Sequence, residues 1–285
     1  MMHFKKYHGL GNDYLVIDPN VHDVDLTLDA IRLICHRNFG IGADGILYGP
    51  LKGGENHQVK ILNPDGSEAE KSGNGLRIFA KYLVENKYVD KKNFGIETLG
   101  GVVEAYIEDD SANLIKINMG KMTFLSTKIP VRGEEREVLN EEMLIDGIEY
   151  KVTCLSIGNP HCVIPMNDVT EQKAKELGPK VENHNMFPNR INMQLLKVID
   201  KANIEIRIWE RGAGYTLASG SSSCAAAGAA HKLGIVDSKI NVRMPGGTLF
   251  VEIRDNNEIY LTGEVEGVFE GRFHADLEQK ILRKK

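Results

Sequence analysis

Lys71-Ser72-Gly73-Asn74-Gly75-Leu76 and Ala218-Ser219-Gly220-Ser221-Ser222-Ser223 are two settings of one local pattern. In each, a serine follows a strand-like apolar run and a polar turn, then opens a helix of small residues, over 76–84 in one case and 223–233 in the other. An offset of 147 positions carries Ser72 onto Ser219. The same offset carries Gly11-Asn12 onto Gly158-Asn159, Val16-Ile17 onto Val163-Ile164, Ile61 onto Ile208 and Gly100 onto Gly247. The register holds without a gap from Gly11 to Gly100, so the chain reads as two related halves, each offering one hydroxyl at a helix N-terminus.

The 285 residues suffice for two domains, each with its own core. Apolar content of 42% and charged content of 26% are those of an ordinary globular protein. A net charge of −5 gives no electrostatic reason to expect nucleic acid, and the basic cluster Arg283-Lys284-Lys285 reads as a solvated terminus. Cys35, Cys154, Cys162 and Cys224 form no CxxC pair and no His cluster joins them at zinc spacing, so no metal site is expected. They are expected to be reduced thiols in a cytosol. The start, Met1-Met2-His3-Phe4-Lys5-Lys6, lacks the apolar core of a signal peptide, and no apolar run reaches transmembrane length. A cytoplasmic protein with no membrane partner is the expectation.

Short β-rich runs at 14–17, 59–62, 102–107 and 114–117 predict strands, and 152–155, 162–164, 204–209, 249–251 and 259–261 repeat the style. Helical spacing predicts helices over 29–38 after Thr27, 78–86, 171–177 and 224–233. Many strands around few helices, twice over, predict an α+β protein of two pseudo-symmetric halves. The charged segment 121–147, with Pro130 and Gly133, reads as the passage between the halves, and Asp109-Asp110 as a hairpin tip.

A helix N-terminus presents unpaired N–H groups and the positive end of the dipole. Gly73, Asn74, Gly220 and Ser221 leave room there for an anion to approach the backbone. Two such termini facing each other across a domain cleft would grip one carboxylate. The bland alternative makes Ser72 and Ser219 simple N-caps. Glu210-Arg211-Gly212-Ala213-Gly214 supplies a partner for an ammonium and one for a carboxylate, or two surface charges. Asn12, Asn63, Asn159 and Asn192 can each donate to a carboxylate and accept from an amine, or serve as turn residues. His161 is a candidate base or ligand, with a hydrogen-bonded structural histidine as the alternative.

Four strings, taken together and in order, resemble the diaminopimelate epimerase family over nearly the whole chain. They are His8-Gly9-Leu10-Gly11-Asn12-Asp13; Asn63-Pro64-Asp65-Gly66-Ser67 with Ser72-Gly73-Asn74-Gly75-Leu76-Arg77; Gly158-Asn159-Pro160-His161; and Glu210-Arg211-Gly212-Ala213-Gly214-Tyr215-Thr216. The resemblance implies a cofactor-free amino-acid epimerase with a small amino-acid substrate. It also implies two similar halves, 1–120 completed by 268–285 and 121–267, each a curled, mostly antiparallel sheet around a central helix, with the active site in the cleft between them. A homodimer is left open. By the same resemblance Asn12, Asn63, Asn159, Asn192, Glu210 and Arg211 hold the distal end of the substrate. Gly73, Asn74, Gly220 and Ser221 bind the reacting carboxylate, and His161 is a supporting residue. Ser72 and Ser219 match the family's two proton-transferring cysteines, and Gly220-Ser221-Ser222 stands where the family usually continues Gly-Thr-Gly.

A thiol suits this chemistry because its pKa, about 8.5 when free, falls at a helix N-terminus, whereas a serine needs help from a neighbouring base. Lys71 and His161 are the candidates to assist. Cys224, five positions beyond Ser219, lies on another side of its helix. The sequence leaves three readings open: an epimerase whose cysteines were replaced by serine, a natural serine form with divergent isomerase or dehydratase chemistry, and an amino-acid-binding derivative without turnover.

Overall fold

In the computed structural model, which describes residues 2–22, 24, 26–51 and 54–282, the helices are α1 (Leu28–Cys35), α2 (Gly73–Glu85), α3 (Glu171–Glu182), α4 (Gly220–Lys232) and α5 (Ala275–Leu282). The basic cluster Arg283-Lys284-Lys285 lies outside the described residues. The chain divides into two units, Met1–Ile117 with Gly263–Lys285, and Asn118–Thr262.

In the first unit the strands follow the order Glu266–Arg272, His3–Gly9, Asn12–Ile17, Gly45–Leu51, His57–Leu62, Asn93–Thr98, Gly101–Ile107 and the start of Leu114–Lys121. In the second the order is Glu141–Ile145, Ile148–Ser156, Pro160–Pro165, Asn192–Asp200, Asn203–Glu210, Lys239–Met244, Gly247–Ile253 and Glu258–Glu264. Both sheets are antiparallel except at two pairs. In the first unit these parallel pairs are 12–17 with 45–51 and 57–62 with 93–98. In the second they are 160–165 with 192–200 and 203–210 with 239–244. A parallel pair needs a crossover, and α1, α2, α3 and α4 each supply one. The fold is α+β with two pseudo-symmetric halves. The duplication is sharpest at α2 and α4, whose first and last residues are each carried onto the other by the 147-position offset.

Each of these two helices is enclosed by its own sheet. All eleven residues of α2 from Gly73 to Leu83 are buried, and α4 is buried from Ser222 to Ala230. A helix apolar or small on every side is stable only when covered all round. In α4 the run Ala225-Ala226-Ala227-Gly228-Ala229-Ala230 lets the covering strands come close. A Cβ at Gly228 would stand 2.7 Å from the Met122 sulfur and 3.3 Å from Leu155 Cδ1.

The strands read from sequence all form, and Asp109-Asp110 does lie in the turn between 101–107 and 114–121, where Asp109 Oδ1 accepts from the Leu114 amide at 2.8 Å. α2 and α4 start earlier than their sequence signals, at Gly73 and Gly220, and two far ends also differ. α1 stops at Cys35 rather than 38, because His36 is extended and its ring accepts from the amides of Asn38 and Phe39. α3 runs on from 177 to Glu182 through Gly178-Pro179, where a glycine is required because the Trp209 ring occupies the space of a side chain. The segment 121–147 is more than a passage, since Glu141–Ile145 pairs with the strand that follows it. Among the described residues no helix is long and apolar enough to cross a membrane.

A charge cluster secures the first unit. Asp13, nearly buried, takes Lys6 Nζ at 2.7 Å and both Arg37 nitrogens at 3.1 and 2.8 Å, while Arg37 also reaches Asp44 at 2.7 Å. Burial alone would push the Asp13 carboxyl up, but the hydrogen bonds from Arg37 and Lys6 outweigh it and hold the group well below the usual carboxylate range. A depressed carboxylate pKa contributes stability above the unfolded value, about 4, and that contribution is lost as pH falls towards the folded value. Asp13→Asn should therefore lower stability by about 1–3 kcal/mol at neutral pH. In denaturant titrations at decreasing pH, the gap between variant and parent should close below about pH 4.

Candidate active site

At the start of α2, Ser72 is extended and its Oγ accepts from the Gly75 amide at 3.1 Å, while the Leu76 amide takes the Ser72 carbonyl. The first two amides of the helix, Gly73 and Asn74, point beyond the reach of its i−4 ladder. At the start of α4 the same arrangement recurs: Ser219 Oγ accepts from Ser222 N at 3.4 Å and its carbonyl from Ser223 N, with Gly220 and Ser221 first in the helix. Both serines are thus N-caps and at the same time flank a cluster of outward-directed amides with the favourable end of the dipole behind it. The two readings of the serines are compatible.

Around Ser72 the side chains form a one-way chain of donors. Arg77, fully buried, gives NH1 to the Gly73 carbonyl at 3.0 Å and NH2 to Asn74 Oδ1 at 2.7 Å. Asn74 Nδ2 donates to Asn12 Oδ1 at 3.0 Å, and Asn12 Nδ2 donates to Asp44 Oδ2 at 3.0 Å. A guanidinium can only donate and a carboxylate only accept, so both amides have one orientation. Tyr14 also meets this helix start, with its hydroxyl 3.1 Å from Ser72 Oγ.

Around Ser219 the corresponding network is neutral. Gln194 Nε2 donates to His161 Nδ1 and to Ser222 Oγ, both at 3.0 Å; His161 Nε2 donates to Asn159 Oδ1 at 2.9 Å; Asn159 Nδ2 donates to Ser221 Oγ at 3.3 Å. The offset pairs Asn12 with Asn159 and Asn74 with Ser221, so the asparagine-to-helix bond is itself duplicated. His161 is wholly buried, and that burial pushes its pKa down to about 3. With both ring nitrogens engaged and the ring neutral, His161 is the hydrogen-bonded kind of histidine that orients Asn159. No hydrogen bond joins it to Ser219 among the described residues.

Asn192 belongs to the same half, facing His161 across the parallel pair, and is tied by Nδ2 to the Pro160 carbonyl at 2.8 Å and by Oδ1 to the Arg211 amide at 2.9 Å. Its amide therefore pins the loop that presents Arg211, whose exposed guanidinium donates to the Asn189 carbonyl at 3.0 Å. Glu210, half-buried, ends the strand Asn203–Glu210 just before that loop. Asn63 stands apart: it closes its own turn, with Nδ2 on Ser67 Oγ at 3.0 Å. Lys71 runs along Gly100, where an added Cβ would meet its Cγ and Cε at 3.0 and 3.1 Å, and makes no hydrogen bond to Ser72 among the described residues. Cys224 is buried inside α4. Tyr14, Arg77, Gln194 and the bond to Ser222 were not singled out from sequence. The one available signal was the offset, which sets Tyr14 on His161 and Gly75 on Ser222.

The family model described as diaminopimelate epimerase matches residues 4–125 and 153–268. The chain is 52% identical to diaminopimelate epimerase 2 of Nostoc sp. over 97% of both chains. It is 43% identical to the diaminopimelate epimerase of Caldanaerobacter subterraneus over 95% of this chain and 98% of that one. Among solved structures, a hydroxyproline epimerase from Agrobacterium vitis aligns at a TM-score of 0.70 and 13% identity over 95% of this chain and 90% of that one. A phenazine biosynthesis protein from Bacillus anthracis aligns at 0.67 and 17% over 95% and 98%. At these identities the two structures speak for the fold alone.

Because His161 stays neutral, its imidazole proton resonances should not move between pH 8 and pH 5, where exposed histidines titrate. A pKa lowered in the folded state costs stability as pH falls below the unfolded value, about 6.5. His161→Gln should weaken that loss of stability between roughly pH 6.5 and pH 4, read from melting temperature against pH.

Proposed function

This chain belongs to the diaminopimelate epimerase family, and from that premise we propose that it inverts the α-carbon of LL- or meso-diaminopimelate, or a close amino-acid relative, without a pyridoxal cofactor. The observation that carries the reading is the pair of register-matched helix starts, each with a capping serine and two forward-facing amides. Amides fixed in this way stabilise the extra negative charge that reaches a substrate carboxylate when the α-proton leaves, and they need not reorganise to do so. Ser72 and Ser219 occupy the two acid/base positions: one, ionised to the alkoxide, takes the α-proton, and the other, as the hydroxyl, returns one. Gly73, Asn74, Gly220 and Ser221 receive the reacting carboxylate. Asn12, Asn63, Asn159, Asn192, Glu210 and Arg211 hold the distal amino-acid end, with His161 keeping Asn159 in place.

The place of such a reaction is in supplying a precursor for lysine and cell wall. The buried thiols of Cys35, Cys154, Cys162 and Cys224 suit a reducing cytosol. One observation favours a second reading, in which the ligand is bound and not turned over. Both reacting positions carry a hydroxyl, a far weaker acid than the family's thiol.

Titration calorimetry with LL- and meso-diaminopimelate tests the ligand: we expect binding of at least one form, and heat from neither would sink the ligand assignment. Exchange of the α-hydrogen in heavy water tests the chemistry. Exchange with inversion supports the epimerase, and binding without exchange supports the second reading. Replacing both serines, Ser72→Cys with Ser219→Cys, should raise the inversion rate by on the order of 100-fold, the lower end of what a well-matched general acid and base contribute.

A further inference from the structure

Tyr14 sits in the middle of the strand Asn12–Ile17, is 6% exposed, and brings its hydroxyl to 3.1 Å from Ser72 Oγ. The chain makes room for this. Gly45 faces Tyr14 across the parallel pair, and any side chain there would strike the ring: an added Cβ would lie 2.6 Å from Cε1 and 3.0 Å from Cδ1. The position equivalent by the duplication is His161, which turns away to Asn159. Ser219 Oγ therefore meets only the Ser222 amide among the described residues, while Ser72 Oγ meets an amide and a phenol. The two hydroxyls, alike in backbone setting, are chemically unlike.

We propose that Tyr14 is a positioning and proton-relay residue for Ser72, supplying to the serine the acidity that a cysteine would hold itself. The proposal rests on Ser72 being one of the two acid/base groups. Ser72 Oγ has one proton and two lone pairs. One lone pair takes the Gly75 amide; with the other taking the Tyr14 O–H, the serine proton is the one left to aim at a substrate. When the Ser72 O–H bond breaks and a C–H bond forms at the carbanion, the Tyr14 O–H bond breaks and a new O–H forms on Ser72. The charge that was on carbon ends on the phenolate, which regains its proton from water after the product leaves. In the reverse direction each bond change is reversed. A phenol is intrinsically a stronger acid than an aliphatic alcohol, so the relay replaces an alkoxide with a more stable anion.

Two titratable neighbours of this pair are already committed. Tyr7, opposite Tyr14 on the neighbouring strand, donates to Glu85 at 2.7 Å, and Arg77 is bonded to Gly73 and Asn74. Neither competes for Ser72 Oγ.

The test is Tyr14→Phe, which keeps the ring against Gly45 and removes the hydroxyl, in the serine protein and again in a Ser72→Cys background. The readout is kcat and KM for α-hydrogen exchange of diaminopimelate in heavy water. We expect kcat to fall by at least about ten-fold with KM within about two-fold in the serine protein. In the cysteine background kcat should change less than about two-fold, since a thiol needs no phenol behind it. Equal losses in both backgrounds would make Tyr14 a packing residue, and no loss in the serine protein would remove the relay; either overturns the proposal. Should Tyr14→Phe not fold, 3-fluorotyrosine placed at position 14 keeps ring and hydroxyl while making the phenol more acidic. It should change kcat only with serine at 72; an unchanged kcat there overturns the relay. Failure of the underlying reading shows itself before Tyr14 is touched: no exchange by the serine protein, with exchange in Ser72→Cys, removes Ser72 as an acid and the relay with it.

Discussion

A helix enclosed by its own sheet has nowhere to put its first N–H groups except towards the one opening in the enclosure, and this constraint organises both halves of the molecule. α2 and α4 are buried along almost their whole length, so neither can fray into water at its start. Unsatisfied amides in an apolar interior cost about 1–3 kcal/mol each. Ser72 and Ser219 each remove one by capping, and the pair of amides ahead of the cap faces outward. The capping that makes the fold tolerable is also what leaves two amides of each helix start facing outward. At Gly75 an added Cβ would stand 3.1 Å from Leu47 Cδ2 and 3.2 Å from Ser72 Oγ, so that position has room only for glycine.

Each half fixes the groups around its own helix start by different means. In the first, charge at both ends, Arg77 behind and Asp44 in front, polarises a row of amides so that every donor points one way. Asp44 is in turn held by Arg37, which also holds Asp13, so the orientation of Asn12 is coupled to the charge cluster that secures the sheet. In the second, a neutral glutamine and a neutral imidazole perform the same task. Burial keeps His161 uncharged, while in the first half the bonds from Arg37 and Lys6 keep Asp13 charged. The two helix starts share a backbone arrangement and differ in the electrostatics around it.

What the sequence revealed follows from which physical signals are local. Alternating apolar strands such as 102–107 and 204–209, and the small-residue helices after Ser72 and Ser219, were legible because their signal lies within a few residues. The strands Gly45–Leu51, Asn93–Thr98 and Glu266–Arg272 were not read, because glycine or proline interrupts them and their pairing partners are distant. The far end of α3 escaped because Gly178-Pro179 reads as a stop, while the Trp209 ring that demands the glycine lies on another strand. At the site, Asn12, Asn74, Asn159 and Ser221 were visible through the duplication. Tyr14 was hidden inside an apolar strand, where an aromatic residue reads as core, and Gln194 in a strand that was not recognised at all.

The departure at Ser222, where the resemblance leads one to expect a glycine, has its explanation in Gln194. A buried hydroxyl without a partner would be expensive, and at the equivalent position of the first half, Gly75, a Cβ would already stand 3.1 Å from Leu47 Cδ2. The offset pairs Leu47 with Gln194, so the apolar neighbour of the glycine in one half is an amide in the other. That amide donates to Ser222 Oγ at 3.0 Å and to His161, and the hydroxyl is satisfied without moving the helix start. Ser222 and Gln194 are thus bonded to each other, and the cap from Ser219 to the Ser222 amide is in place. The second helix start keeps the capped backbone arrangement of the first, with Ser222 N donating to Ser219 Oγ at 3.4 Å.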